Sequence, residues 1–197
     1  MSDLPIYLNT NDEWSQMMLL YDSAIKEIRT KLEILNNEFK LSHQYNPIEH
    51  IESRLKSMDS IARKLRRRDK ELTTSNVMMY VNDVAGIRII CSFTSDIYRI
   101  ANAISGQSDI EILKIKDYIK NPKENGYMSY HMLLSIPVAL ADAVIPTKVE
   151  LQIRTMAMDF WASLEHDIRY KADKSRLPVG INEEMLECAG KIAEIDR

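Results

Sequence analysis

The chain has 197 residues, is 45% hydrophobic and 28% charged, and carries a formal net charge of −3. That length suggests one domain, or one domain with helical extensions, and the composition is ordinary for a soluble globular protein with a real core. The small net charge excludes a blanket polyanion binder, so basic residues matter where they cluster. Cys91 and Cys188 stand far apart in no metal-ligand spacing, and Cys91 closes an apolar run as a core residue does. The opening Met1-Ser2-Asp3-Leu4-Pro5 has neither the basic nor the apolar region of a signal peptide. No apolar run reaches the roughly 18 residues of a membrane span. A cytoplasmic protein without membrane contact is expected.

Residues 1–11 read as a leader ending at Asn9-Thr10-Asn11-Asp12, a set of N-cap candidates. From Asp12 to about Phe39 no Pro or Gly intervenes, and Trp14, Met17, Met18, Tyr21, Ile25, Ile28, Leu32 and Leu35 recur near helical spacing. One long amphipathic helix is predicted, with a packing or oligomer-forming face. Asn46-Pro47 opens a second predicted helix that runs to about Arg68. On it Lys56, Ser60, Lys64 and Arg67 fall within about 80° of one another, with Arg54 near the start. Leu55, Met58, Ala62 and Leu65 take the other side. Ser60 has a lysine one turn away on either side, which suits a phosphate; a solvated basic face fits the same residues. The charged end, Arg66-Arg67-Arg68-Asp69-Lys70, could also be a weak nucleic-acid patch.

A short helix around Thr74–Tyr80 leads to the apolar, β-branched run from Val84 to Phe93, which reads as a buried strand. Asp83 stands at its entrance. Arg88 is the charge inside it, costly there unless paired or aimed at a ligand. Ser95-Asp96 caps a helix that Gly106 ends, and a strand from Ile110 to Tyr118 puts Lys114, Lys116 and Tyr118 on one face. The stretch Lys116–His131 then carries Lys120 and Lys123, an Asn121-Pro122 break and an Asn125-Gly126 turn. Its cations could grip phosphates and Tyr127 could stack on a base; a polar hairpin loop is the plainer reading.

A strand from about Tyr130 to Ile136 follows, then a Pro-bounded connection over 137–147. Lys148–Arg154 alternates strictly, with Lys148, Glu150, Gln152 and Arg154 on one face and Val149, Leu151 and Ile153 on the other. The helix from Met156 to about Tyr170 packs Phe160, Trp161 and Leu164 and carries Asp159, Glu165 and His166. Pro178 and Gly180 precede a last helix over 182–197. This order predicts an α+β fold, a mixed sheet of about five strands flanked by helices. No Walker loop, GxGxxG, nucleophile elbow or zinc spacing occurs.

Five blocks together resemble one family, the small alarmone synthetases, synthetase-only relatives of the Rel/SpoT stringent-response enzymes. They are Arg54-Leu55-Lys56 with Ser60, Lys64 and Arg67; Asp83-Val84-Ala85-Gly86-Ile87-Arg88; Lys116-Asp117-Tyr118 through His131; Glu150-Leu151-Gln152-Ile153-Arg154-Thr155; and Met158-Asp159-Phe160-Trp161-Ala162 with Glu165 and His166. The resemblance implies a nucleotidyltransferase-like synthetase domain over 46–172, with helical extensions over 1–45 and 173–197. It implies transfer of the β,γ-pyrophosphate of ATP to the 3′-hydroxyl of GDP or GTP, with AMP released. It makes Asp83 and Glu150 the catalytic and Mg²⁺-binding pair, Glu150 being the base. ATP would be held by Arg54 and Arg88 on adenine, and by Lys56, Ser60, Lys64 and Arg67 on phosphates. The acceptor would meet Lys116, Lys123, Tyr127, His131, Gln152 and Asp159, with Tyr127 stacked on guanine. A carboxylate at 159 can accept from both guanine N1–H and N2–H.

Lys116 stands where relatives often have arginine, Met128 where a basic residue is common, and Asp159 where some have asparagine. No His-Asp hydrolase segment precedes the blocks, so alarmone degradation is not expected. A homotetramer is implied; RNA binding is possible but not expected. Two other readings compete: a toxic branch pyrophosphorylating adenine nucleotides or tRNA 3′ ends, and a catalytically inactive nucleotide- or RNA-binding module.

Overall fold

The computed structural model describes residues 13–43, 45–170, 178 and 180–196. The leader and the N-cap candidates Asn9–Asp12 lie outside the described residues. In chain order the elements are α1 (Glu13–His43), β1 (Ile48–Leu55), α2 (Met58–Arg66), α3 (Thr74–Tyr80), β2 (Ala85–Cys91), α4 (Thr94–Ser105), β3 (Glu111–Asp117), β4 (Tyr130–Ala139), β5 (Val144–Thr155), α5 (Met156–Tyr170) and α6 (Ile181–Ile195). The five strands form one mixed sheet in the order β1-β2-β5-β4-β3. The β2–β5 pair is parallel and the other three pairs are antiparallel.

Alternation along the strands separates two faces. Ile87 and Ile89 of β2, Met132, Leu134 and Ile136 of β4, and Val149, Leu151 and Ile153 of β5 are all buried. Against that side lies α1, which contacts β1, β2, β4 and β5. Its apolar stripe, from Met17 through Tyr21, Ile28 and Leu32 to Leu35, is buried as the spacing predicts. Its outer side carries the pairs Lys26–Asp22 at 2.7 Å and Arg29–Glu33 at 3.0 Å. Helix α4 adds Ile97, Ile100 and Ile104 to the same core.

Two expectations need correcting. The predicted helix from Asn46 is a strand over its first part, and helix α2 starts only at Met58. Ile48, Ile51 and Leu55 are spaced as on a helix, but a bulge between Ile48 and His50 changes the strand's phase. Ile48, Ile51 and Leu55 therefore share the core side, opposite Cys91, Ile89 and Ala85. Edge pairing with β2 satisfies the backbone there, and β1 otherwise exposes polar side chains that mask its period. The Pro-bounded connection is likewise mostly strand. β4 continues to Ala139 and β5 begins at Val144, with Leu140 N–H donating to Ala143 O at 2.7 Å across the turn. Pro137 faces Pro146 where it is tolerated, because β3 stops opposite Ser135 and β2 starts opposite Val149. No neighbouring strand needs either missing N–H.

Cys91 is buried, and burial raises its thiol pKa, as expected of a core cysteine. None of the described helices is long and apolar enough to cross a membrane. Leu32→Ala, made where α1 meets the sheet, should destabilise the fold by roughly 2–5 kcal/mol in urea unfolding. A loss below about 0.5 kcal/mol, the range of a surface change, would contradict packing of α1 in the main core.

Candidate active site

The sheet's second face is polar, and its registers line up the family blocks in rows. One row reads Arg54, Gly86, Glu150, Leu133, Lys114; the next reads Glu52, Arg88, Gln152, His131, Lys116. Period-two alternation projects these side chains to one side. Arg54, Asp83, Arg88, Glu150 and Gln152 line one cleft there. Glu150 also lines a second, with Arg68, Asn82, Lys114, Lys116 and His131. The base candidate thus borders both clefts.

On the first cleft, Asp83 accepts from Lys56 Nζ at 2.8 Å and Lys64 Nζ at 2.7 Å. Burial opposes its charge, but the two ammonium groups overcome that and hold the carboxyl below its usual range. Lys56 arrives from the segment after β1 and Lys64 from α2, so the β1 correction moves Arg54 and Lys56 off the helix yet leaves them beside the cleft. Ser60 accepts from Ser57 Oγ at 2.9 Å and Arg63 Nη2 at 3.1 Å. Arg67 is exposed at the C-cap of α2. Arg88 meets Glu52 at 3.4 Å and Asp159 at 3.3 Å, and its buried Nε has no hydrogen-bond partner among the described residues.

The acceptor candidates converge on Tyr127. Lys123 Nζ lies 4.4 Å from the Tyr127 ring centroid and 4.8 Å from that of Tyr118, and Lys116 Nζ 5.9 Å from the latter. Tyr127 Oη is 2.9 Å from His131 Nε2. Burial, then the charges of Arg154, Lys123 and Lys116, lower the His131 pKa to about 3, so the ring is neutral. The 3.9 Å approach of His131 Nδ1 to Glu150 Oε1 is therefore no ion pair.

Arg154 was legible as a polar-face residue of β5 but not as part of the site. It is 5% exposed, and it donates to Asp159 Oδ1 at 3.0 Å, Tyr127 Oη at 2.5 Å, Gln152 Oε1 at 3.0 Å and Ser129 Oγ at 3.3 Å. Three of these partners are acceptor candidates. The signal was its place two residues beyond Gln152 on the same alternating face. Lys148 was passed over in the same way. It donates to Met78 O at 3.0 Å and Asn82 Oδ1 at 3.3 Å, tying β5 to the end of α3 and the loop that carries Asp83.

The turn presenting Tyr127 is set by chemistry and by α6. Gly126 has φ +87°, and a Cβ there would come within 2.6 Å of Ala189 Cβ. Asn125 Oδ1 accepts from Tyr127 N–H at 3.2 Å, while its amide donates to Glu165 at 3.0 Å. Trp161 Nε1 donates to Met185 O at 2.9 Å, fastening α6 to α5 behind the turn. Among the described residues no group of three or more His, Cys, Asp or Glu is placed to hold a metal. Asp83 and Glu150 on one cleft still fit Mg²⁺, which takes hard carboxylate oxygens and keeps several waters.

Residues 53–175 match the model of the region found in RelA/SpoT proteins. The GTP pyrophosphokinase YwaC of Bacillus subtilis (strain 168) is 46% identical over 178 residues, 90% of this chain and 84% of that one. The GTP pyrophosphokinase YjbM of the same strain is 32% identical, over 92% of this chain and 91% of its own. The crystal structure of small alarmone synthetase 2 from Bacillus subtilis is 43% identical with a TM-score of 0.82, covering 94% of this chain and 95% of that one. Small alarmone synthetase 1 from the same organism, solved bound to its product pppGpp, is 29% identical with a TM-score of 0.82 and 94% coverage of each chain. The chain belongs to the RelA/SpoT family and, within it, to the small alarmone synthetases.

Because Gly126 combines a left-handed backbone with contact against α6, Gly126→Ala should cost roughly 1–3 kcal/mol and raise the acceptor KM more than the ATP KM. Unfolding and initial rates would check this. Wild-type stability with an unchanged acceptor KM would show that the turn needs no glycine.

Proposed function

We propose that the chain is a (p)ppGpp synthetase, a GTP/GDP pyrophosphokinase using ATP as donor. The observation that carries this reading is Glu150 on the border of two clefts, with Asp83 on one and the Tyr127 loop beside the other. The curated relatives' names support the same activity and do not favour a branch acting on adenine nucleotides or tRNA.

In this mechanism the acceptor's 3′-oxygen attacks the β-phosphorus of ATP. The O3′–Pβ bond forms, the bond from Pβ to the α,β-bridging oxygen breaks, and AMP leaves with that oxygen. Glu150 takes the 3′-hydroxyl proton as attack proceeds. Arg54 and Arg88 line the donor cleft and present planar guanidiniums suited to stacking on adenine. Lys56 and Lys64 exchange Asp83 for phosphate oxygens, which compact ammonium groups on flexible stems do readily; Ser60 and Arg67 add contacts along α2. Asp83 and Glu150 would hold Mg²⁺, which offsets phosphate charge when bound. Tyr127 stacks on guanine, Lys116, Lys123 and His131 meet the acceptor's phosphates and ribose, and Gln152 and Asp159 border the guanine pocket. Such transfer needs positioning and cations more than a protein nucleophile, which suits a site without an activated Ser or Cys.

A cytoplasmic homotetramer belongs to the same proposal. Leu19, Ile34 and Leu41 on α1 and Leu186 and Ile195 on α6 are exposed, and offer apolar surface to other copies.

Purified protein with ATP, Mg²⁺ and GDP or GTP should release AMP and form a 3′-pyrophosphorylated guanine nucleotide, with little product from ATP alone or tRNA. No AMP release with any acceptor would defeat the enzyme reading. Glu150→Gln should lower kcat by about 10²–10⁴-fold while nucleotide binding persists; a near-normal rate would remove Glu150 as the base. Tyr127→Ala should weaken acceptor binding by roughly 1–3 kcal/mol, the usual worth of stacking a base on an aromatic ring. Calorimetry showing unchanged affinity would dismiss the stacking role.

A further inference from the structure

The loop that carries Tyr127 leaves the sheet at Asp117, the last residue of β3, and this one residue takes up the backbone of the turn that follows. Asp117 Oδ1 accepts from Ile119 N–H and Lys120 N–H, both at 3.0 Å. Its backbone oxygen accepts from Asn121 N–H at 3.2 Å. The other carboxylate oxygen, Oδ2, accepts from Tyr98 Oη at 3.1 Å, while the exposed Lys120 Nζ approaches it at 3.9 Å. Tyr98 comes from α4, a helix seated in the core by Ile97, Ile100 and Ile104. Its ring meets Tyr130, the register partner of Asp117, edge-on at 5.6 Å, and carries Lys120 Nζ 5.2 Å from its centroid. Burial, then the bond to Asp117, push the Tyr98 hydroxyl pKa up to about 12, so it stays a donor at neutral pH.

What this turn places stands around the Tyr127 ring. Tyr118, next to Asp117, donates its N–H to Ser129 O at 3.0 Å and sets its ring edge-on to Tyr127 at 5.9 Å. Lys123 N–H donates to Tyr127 O at 3.1 Å, and Lys123 Nζ lies over both rings. We propose that Tyr98 is a positioning residue for the acceptor, its hydroxyl fixing the Asp117 carboxylate and, through it, the turn that seats Tyr118 and Lys123 around Tyr127. The inference rests on Tyr127 being the acceptor's platform in the proposed synthetase reaction. An aspartate that bonds the backbone two residues on is a common turn device. Rotation of its carboxyl group is soft, however, with no sharp rotamer to hold it. Tyr98 supplies the hold from a helix in the core. Without that hydroxyl, Oδ2 would follow Lys120 toward solvent and Oδ1 would swing off the two N–H groups.

Tyr98→Phe removes the hydroxyl and keeps the ring against Tyr130. Initial rates should show the GDP KM raised roughly three- to tenfold, the worth of one hydrogen bond. The ATP KM and kcat should stay within about twofold, as when binding alone is lost. Asp117→Asn should nearly preserve the wild-type GDP KM, because its amide oxygen can take the two N–H groups while its NH₂ donates to Tyr98 Oη. Tyr98→Phe added to Asp117→Ala should raise the GDP KM no further than Asp117→Ala alone, since the hydroxyl acts only through the carboxylate. In the full chain without substrates, amide exchange followed by NMR at Ile119 and Lys120 should quicken roughly two- to tenfold in Tyr98→Phe. Unchanged exchange, an unchanged GDP KM, or an equal rise in both KM values would overturn the proposal. Losses that multiply in the double variant would do the same; should Asp117→Ala not fold, Tyr98→Phe and Asp117→Asn decide. Wild-type protein that forms no product would instead remove the synthetase reading, while the exchange rates would still report the anchor.

Discussion

Parallel pairing of β2 with β5 puts Gly86 beside Glu150 and Arg88 beside Gln152. From that pair the other strands add residues in register: Arg54 and Glu52 from β1, Leu133 and His131 from β4, Lys114 and Lys116 from β3. A one-residue slip in any of them would send its functional side chains into the core, because successive strand residues point to opposite faces. The apolar contacts of Ile87, Ile89, Leu151 and Ile153 on the buried side therefore protect the chemistry on the other. Long-range packing and site geometry are one constraint here.

Electrostatics gives the open face its character. The chain as a whole is slightly acidic, yet Lys56, Lys64, Arg54, Arg88, Lys114, Lys116 and Arg154 gather around a few carboxylates. Each carboxylate is matched: Asp83 by two lysines, Asp159 by Arg88 at 3.3 Å and Arg154 at 3.0 Å, Glu150 by the amide of Gln152. A buried charge is costly until it is paired and hydrogen-bonded. Mutual pairing lets the site hold many charges. Asp159 links the two clusters, since its Oδ1 meets Arg88 from the first cleft at 3.3 Å and Arg154 from the Tyr127 network at 3.0 Å.

Much of this was readable in the chain. The α1 stripe, the buried run of β2, the alternation of Lys148–Arg154 and the helix from Met156 all carry strong periods, and the structure places them as expected. β1 was missed because a bulge made Ile48, Ile51 and Leu55 imitate a helix, and pairing with β2 overrode that spacing. The β4–β5 hairpin was missed because Pro137 and Pro146 argue against strand wherever the neighbours' ends are unknown. Most candidate site residues still come together on one side of the sheet, since short family blocks survive errors in the elements around them. Arg54 and Lys56 reach the cleft from a strand end as readily as from a helix. Arg154 escaped because two of its four partners, Tyr127 and Ser129, lie far from it in the sequence. The support of Gly126 by Ala189 escaped for the same reason: no local pattern couples a turn to a helix that far along the chain.

The most direct test of the account is a crystal structure of the protein with Mg²⁺, GDP and a non-hydrolysable ATP analogue. Guanine should lie on the Tyr127 ring and adenine between Arg54 and Arg88. The acceptor's 3′-oxygen should lie about 3 Å from the Glu150 carboxylate and about 3–3.5 Å from the donor's β-phosphorus. A 3′-oxygen out of reach of Glu150, or adenine in place of guanine on Tyr127, would contradict it.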